Sequence, residues 1–233
     1  MIINDLFIGT TLSAKMENVP HLSTSPLKNS HCQTRHNNKL GICEFCFSMQ
    51  SNKLYAALRQ HLIDNYDLLT TKQVEKIDLT RVPNNIARLE AFGDIENELQ
   101  VKNYFDICKA NKKRVFALWT KNPHIIKNAM DLYLIAKPKN LIIVYSMQQL
   151  DINPAHLQRL ANTIIKKFPF IDKVFTVYTA AYAVENNVHI NCGNKHCNTC
   201  RLCYKKNKTI FINEILKKDF RLFEKLGGKI YAR

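Results

Sequence analysis

Seven of the eight cysteines in this chain fall into two groups whose spacing has a chemical meaning. Cys192, Cys197, Cys200 and Cys203 run C-x4-C-x2-C-x2-C. Thiolates separated by two residues on a tight turn converge on one metal ion or one cluster. Core packing gives no reason for two such steps in succession. Far upstream stand Cys32, Cys43 and Cys46, the last two within the C-x-aromatic-C step Cys43-Glu44-Phe45-Cys46. Three thiolates leave the fourth iron of a four-iron (4Fe–4S) cluster open to an exogenous ligand. The eighth cysteine, Cys108, shares a helical face with Val101, Tyr104 and Phe105 and reads as a core residue.

The rest of the composition sets the setting for that chemistry. No apolar run reaches the roughly 18 residues of a membrane span. Met1 to Thr11 has no basic stretch and carries Asp5, so no signal peptide is expected and the cytoplasm is the expected compartment. Thiols stay reduced there, which favours metal over disulfides for clustered cysteines. A net charge of +15 attracts phosphate polymers through counterion release, making a nucleotide or nucleic acid the leading partner. The blander reading is an ordinary basic surface in a Lys-, Asn- and Ile-rich chain. No RNP motif, helix-turn-helix, P-loop, Ser-His-Asp set or H-E-x-x-H is present.

The elements that must position the cysteines alternate in type. Residues 1–20 are expected to be irregular, with an apolar patch at Leu6-Phe7-Ile8. A short strand is expected at 22–25 and a polar cysteine loop at 27–47. A helix from Ser51 would carry Tyr55, Leu58, Leu62, Tyr66 and Leu69 inward, followed by a short helical piece within 71–85. Strands are expected at 86–92, 114–120, 140–146 and 172–179, with Val188 to Asn191 leading into the second cysteine group. Asp94 can cap the helix after the second strand, Asn122 and Pro123 begin the next, and Asn153-Pro154 another. A weak helical piece follows at 180–186. Asn213 is expected to cap a final helix ended by Gly227-Gly228.

Strand-helix alternation argues for a parallel sheet with function at the C-terminal ends of its strands. The expected fold is α/β, a partial (β/α)6 TIM-like barrel over 21–191, with a cysteine-rich metal-binding segment and C-terminal helix over 192–233. If the sheet curls, the first and last strands approach each other, so the cysteine groups following them share one face.

At Cys32, Cys43, Phe45 and Cys46 the chain resembles the radical S-adenosylmethionine (radical SAM) superfamily, whose signature is C-x3-C-x-aromatic-C after the first strand. Ten residues separate Cys32 from Cys43 where that family has three. The resemblance implies S-adenosylmethionine as cofactor and a glycine-acid motif after the second strand, a place held here by Gly93-Asp94. It also implies a polar cofactor-binding residue ending the fourth strand, here Ser146. A closer resemblance is to phage proteins of the gene product eighty-eight family. It rests on Cys32, Cys43, Cys46, Gly93-Asp94, Trp119-Thr120-Lys121 and Cys192 to Cys203, over about residues 20–216. It implies a phage or mobile-element origin.

Trp119, the single tryptophan, reads either as a core aromatic or as a stacking surface for a base or cofactor ring, with Lys121 beside it for phosphate. Tyr178 carries the same two readings. The C-terminal cysteines have three: a second 4Fe–4S cluster, a structural zinc site, or ligands mixed with the N-terminal loop. His31, His36 and His196 are substitute ligands or solvated loop residues. The functional expectation is an iron–sulfur protein of radical SAM type acting on a nucleotide or nucleic acid. The alternative is a non-enzymatic zinc-binding protein, either a basic nucleic-acid binder or an interaction protein. No catalytic acid or base stands out.

Overall fold

The computed structural model describes residues 2–10, 15–39, 41–74, 77–80, 82, 84–193, 195–207 and 209–231. In chain order the elements are β1 (Ile2–Ile3), β2 (Leu6–Phe7), β3 (Gly9–Thr10), β4 (Pro20–Leu22), α1 (Ser30–Asn37), α2 (Phe47–Leu54) and α3 (Ala56–Thr71). Then come β5 (Ile86–Leu89), α4 (Glu98–Ala110), β6 (Val115–Thr120), α5 (Pro123–Leu132), β7 (Leu141–Leu150) and α6 (Pro154–Lys167). The chain continues with β8 (Lys173–Tyr178), α7 (Ala180–Glu185), α8 (Cys197–Cys200), β9 (Phe211–Ile215) and α9 (Phe220–Lys225).

Seven strands form one sheet in the order β3-β4-β5-β6-β7-β8-β9. Only β3 is antiparallel, and every later pairing is parallel. The parallel strands therefore lie side by side in chain order, with no point where the winding reverses. Period-two alternation divides the sheet into two faces. Ala87, Leu89, Phe116, Leu118, Leu141 and Ile143 pack against α3, α4 and α5. Val174, Tyr178 and Ile215 pack against α6, α7 and α9. The opposite face carries Ile86, Ala117, Ile142, Val144, Phe175, Val177 and Ile212. That face is covered not by the long helices but by the cysteine-bearing segments, through Ile42, Phe45, Cys192, Leu202, Cys203 and Tyr204.

Several local expectations change. Residues 2–10, expected to be irregular, form a two-strand hairpin and the antiparallel edge strand, with Leu6 fully buried. Within the polar stretch 27–41, α1 forms because the Asn29 side chain caps it, accepting from the Cys32 amide at 2.8 Å. The helix expected from Ser51 breaks at Tyr55, which is 61% exposed, and the buried stripe of α3 is Leu62, Asn65 and Leu69. The helical piece expected in 71–85 is absent among its described residues beyond the end of α3; residues 75, 76, 81 and 83 lie outside the described ones.

Asp94 does not cap α4: Asn97 does, accepting from the Gln100 amide. Asn122 precedes α5, but its side chain turns away to donate to the Ile95 carbonyl oxygen at 2.9 Å. The largest change is at the C-terminus. Asn213 lies inside β9, hydrogen-bonded to Thr176 across the sheet, instead of capping a helix. Val188 to Cys192 make only isolated bridges, so the last parallel strand comes after the second cysteine group, not before it. Phe211-Ile212-Asn213-Glu214-Ile215 alternates like a strand; its short, polar-interrupted pattern reads equally as the start of a helix.

Candidate metal and ligand site on the helix-free face

The N-terminal cysteines are held over the C-terminal ends of β4 to β7. Cys32 sits in the first turn of α1, Cys43 in a 3-10 turn over Gly41–Phe45, and Cys46 at the start of α2. Asn29 links this loop to the strand ends: its amide donates to the Asp94 carbonyl oxygen at 2.9 Å while its oxygen caps α1. Ser30 donates twice to Glu96. His36 Nδ1 donates to the Cys43 carbonyl oxygen at 2.9 Å. Cys46 stands within electrostatic reach of both Cys32 and Cys43, and those two thiols stand within reach of Lys121 and Asp94. Burial, then Asp94, pushes the Cys32 thiol well above its ordinary value, and burial raises Cys43, with Lys121 opposing in both.

Asp94 is the hub of this end of the sheet. Its carboxylate accepts from Thr120 Oγ1 (2.6 Å), the Lys121 amide (3.0 Å) and the Ile95 amide (2.8 Å), and pairs with Arg35 of α1 at 3.4 Å. These partners tie the loop after β5 to the end of β6 and to the helix bearing Cys32. Lys121 Nζ donates to Ser146 Oγ at 3.2 Å, joining the end of β6 to β7; Ser146 does not end its strand as expected, because β7 runs on to Leu150 beyond the end of β6. Gly93 permits a close approach, since a Cβ there would stand 2.6–2.7 Å from Thr24 Oγ1, the Thr24 carbonyl oxygen and Glu90 Oε2. Gly93, Asp94, Lys121 and Ser146 thus share one end of the sheet with Cys32, Cys43 and Cys46. Asp94→Asn should remove the Arg35 pairing and turn one amide hydrogen pair toward existing donors. A loss of about 2 kcal/mol is expected, read as a fall of roughly 4–8 °C in thermal midpoint.

Cys192 bridges Glu214 near the C-terminal end of β9, and Cys203, in the turn after α8, packs against the face that carries Ile142, Val144, Phe175 and Val177. Cys197 and Cys200 occupy one helical turn, and Arg201, at φ 53°, reverses the chain so that Cys203 folds back. Cys192, Cys197 and Cys203 are mutual charge neighbours. Burial, then Glu214, pushes the Cys192 thiol up to about 12, and burial raises Cys197 and Cys203 as well. The neighbours of Cys32 and Cys43 come from Cys46 instead, so the two groups occupy separate places on one face. His196 pairs with Glu17 at 3.1 Å, and His31 meets His124 edge-on. Among the described residues, no three His, Cys, Asp or Glu side chains close around one point as ligands of a single metal ion.

Two features were hidden in the sequence. Glu90, one residue past β5 and at φ 56°, is buried and accepts from Thr24 (amide and hydroxyl), Gln100 and Tyr104. Burial pushes its carboxyl up to about 7. Arg88 and Trp119 face the same side from neighbouring strands, with the guanidinium 4.0 Å from the indole centroid. Phe175 meets the same indole at 4.4 Å, so the ring is covered by protein side chains, as the core-aromatic reading of Trp119 has it and not the stacking one. Arg88 Nε and Trp119 Nε1 are buried donors with no acceptor. Such a group costs about 1–3 kcal/mol in a folded protein. Alternation marked Arg88 and Glu90 as one polar strand face, which ordinarily means solvent; the covering cysteine segments enclose Arg88, whereas Glu90, at positive φ, is enclosed by Thr24 and by Gln100 and Tyr104 of α4.

No helix among the described residues is long and apolar enough to cross a membrane. A family model described as Gene product 88 matches residues 8–214. No curated protein matches. No solved structure matches.

Proposed function

The chain belongs to the gene product 88 family, and from the arrangement of its thiols we propose that it is an iron–sulfur protein of radical SAM type. The observation that carries this reading is the nearness of Cys46 to both Cys32 and Cys43, beside Asp94 after β5 and Lys121 after β6. Parallel strands in chain order support a partial (β/α)6 barrel around that end.

The donor set fits a cluster better than a lone ion. The N-terminal group brings three thiols, the number that leaves one iron of a four-iron cluster open, whereas a closed zinc site takes four ligands. With raised pKa values Cys32 and Cys43 hold their protons at neutral pH, so metal loading at these two thiols releases protons and strengthens as pH rises. Cys32, Cys43 and Cys46 would hold the cluster, and Cys192, Cys197, Cys200 and Cys203 a second centre, iron–sulfur or zinc. A cluster with an open iron supplies one electron to cleave S-adenosylmethionine. Asp94 and Gly93 shape the adjoining loop, and Lys121 holds positive charge beside the thiols. The basic chain favours a nucleotide or nucleic acid as the molecule acted upon.

Anaerobic purification followed by iron, sulfide and zinc analysis tests this. About four irons with matching sulfide, lost in Cys43→Ala, are expected for the N-terminal group. About eight irons would place clusters at both groups. Colourless protein holding zinc alone after anaerobic reconstitution would replace this reading with a zinc-stabilised binding protein.

A further inference from the structure

Arg88 is an arginine on an enclosed sheet face without a carboxylate partner. Its contacts are the Trp119 ring and the Met16 thioether sulfur, 3.6 Å from one terminal nitrogen. Among the described residues its Nε–H finds no acceptor, and neither does the Nε1–H of Trp119 on the adjacent strand. Both residues are partly accessible while these two donor atoms are buried, so a ligand reaches the donors only as the side chains that cover them shift. Two further cations converge here. Lys15, from the segment before β4, acts with Arg88 on Cys197; Lys217, from the turn after β9, faces Glu214, Lys15 and Arg88, with its ammonium 3.5 Å from the Phe47 ring centroid. Glu214 is the carboxylate among them, and Lys15 is paired with it. Three cations against one carboxylate leave two positive charges in excess. Lys217 lies within reach of Cys46, and Arg88 within reach of Cys197 and Cys203, which puts this region between the two cysteine groups.

We propose that Arg88, Trp119 and Lys217 form a binding site for a dianionic phosphate group of a small ligand, on the helix-free face between the two cysteine groups. The unpartnered Nε–H and Nε1–H supply two donors to its oxygens, and the excess charge matches a phosphate dianion better than a carboxylate. Because Arg88 covers the indole, the tryptophan contributes its N–H and not a stacking face. The site stands on these three side chains and does not require metal at either cysteine group. If the proposed chemistry is correct, it gives the molecule acted upon a phosphate handle.

Trp119 is the only tryptophan, so its emission reads the site directly. The intact protein is titrated with sodium phosphate at constant ionic strength, with sodium chloride and sodium acetate as parallel series. A saturable change with phosphate is expected, weakened about tenfold or more in Arg88→Gln, the loss of one charge-assisted hydrogen-bond pair. Should Arg88→Gln fail to fold, Lys217→Met serves, with phosphate raising the thermal midpoint of the wild type more than that of the variant. Equal responses to phosphate and chloride, an acetate response as strong as that to phosphate, or unchanged half-saturation in the variants would each overturn the proposal. So would a response confined to metal-loaded protein, because the donors would then serve the thiolates. Metal analysis of the same samples keeps this result separate from the iron–sulfur reading.

Discussion

Gly41→Ala is expected to unseat the N-terminal cysteine loop. Gly41 sits at φ +55°, where a side chain costs about 1–2 kcal/mol. A Cβ there would also drive into the Gln148 carbonyl oxygen of β7, a backbone atom that cannot swing aside. Together a loss of roughly 3 kcal/mol is expected, lowering the thermal midpoint by roughly 6–12 °C. Gly227→Ala is the control: it has φ +77° but nothing within 4 Å of its Cβ, so only the backbone term of about 1 kcal/mol remains. If the loop docks as described, Cys43 in Gly41→Ala should also react faster with an alkylating reagent under native conditions. Equal midpoints for the two variants would mean that the loop does not rest on β7.

The second large effect concerns pH. Glu90 has an ordinary value of 4.5, and burial pushes its carboxyl up to about 7 despite four donors aimed at it. The folded protein therefore holds this proton more tightly than the unfolded chain. The resulting stabilisation is complete below about pH 4.5 and is lost as pH rises through about 7. Its size is roughly 3 kcal/mol between the two limits. His21 works in the opposite sense. Burial, then Arg88, lowers it to about 4, so its contribution is present above about pH 6.5 and lost as pH falls through 4. The two slopes overlap between pH 5 and 6.5, and the wild type alone would not separate them.

Glu90→Gln separates them, because an amide does not titrate and His21 is common to both proteins. Urea unfolding of the two at pH 5 and pH 8 should show the wild type's advantage over the variant shrinking by about 2–3 kcal/mol as pH rises. At pH 5 the variant is expected to be the weaker, since one amide N–H must face the Thr24 amide that now donates to Glu90. A constant difference between the two proteins across this range would show that Glu90 is ionised throughout.

Local chemistry in the sequence determined much of this protein. Cysteine spacing separated two thiol groups from the core residue Cys108, and Cys108 is fully buried in the main helix-packed cluster. Alternation placed β5, β6 and β8 and most of β7, and periodicity with Asn-Pro starts placed α5 and α6; the strand expected at 22–25 shares only Leu22 with β4, which is Pro20–Leu22. Gly93-Asp94 follows β5 as expected, but Ser146, expected to end its strand, lies inside β7, which continues to Leu150. Only the tertiary structure decided how the second thiol group is mounted. β9 has too little local signal to be told from a helix start, and it is a strand because β8 offers an unpaired edge for it. The same holds for Glu90, Arg88, Lys15 and Lys217. In the chain they are ordinary charged residues; enclosure by segments far away in sequence changes their protonation, partners and role, and distance along the chain carries no trace of that enclosure.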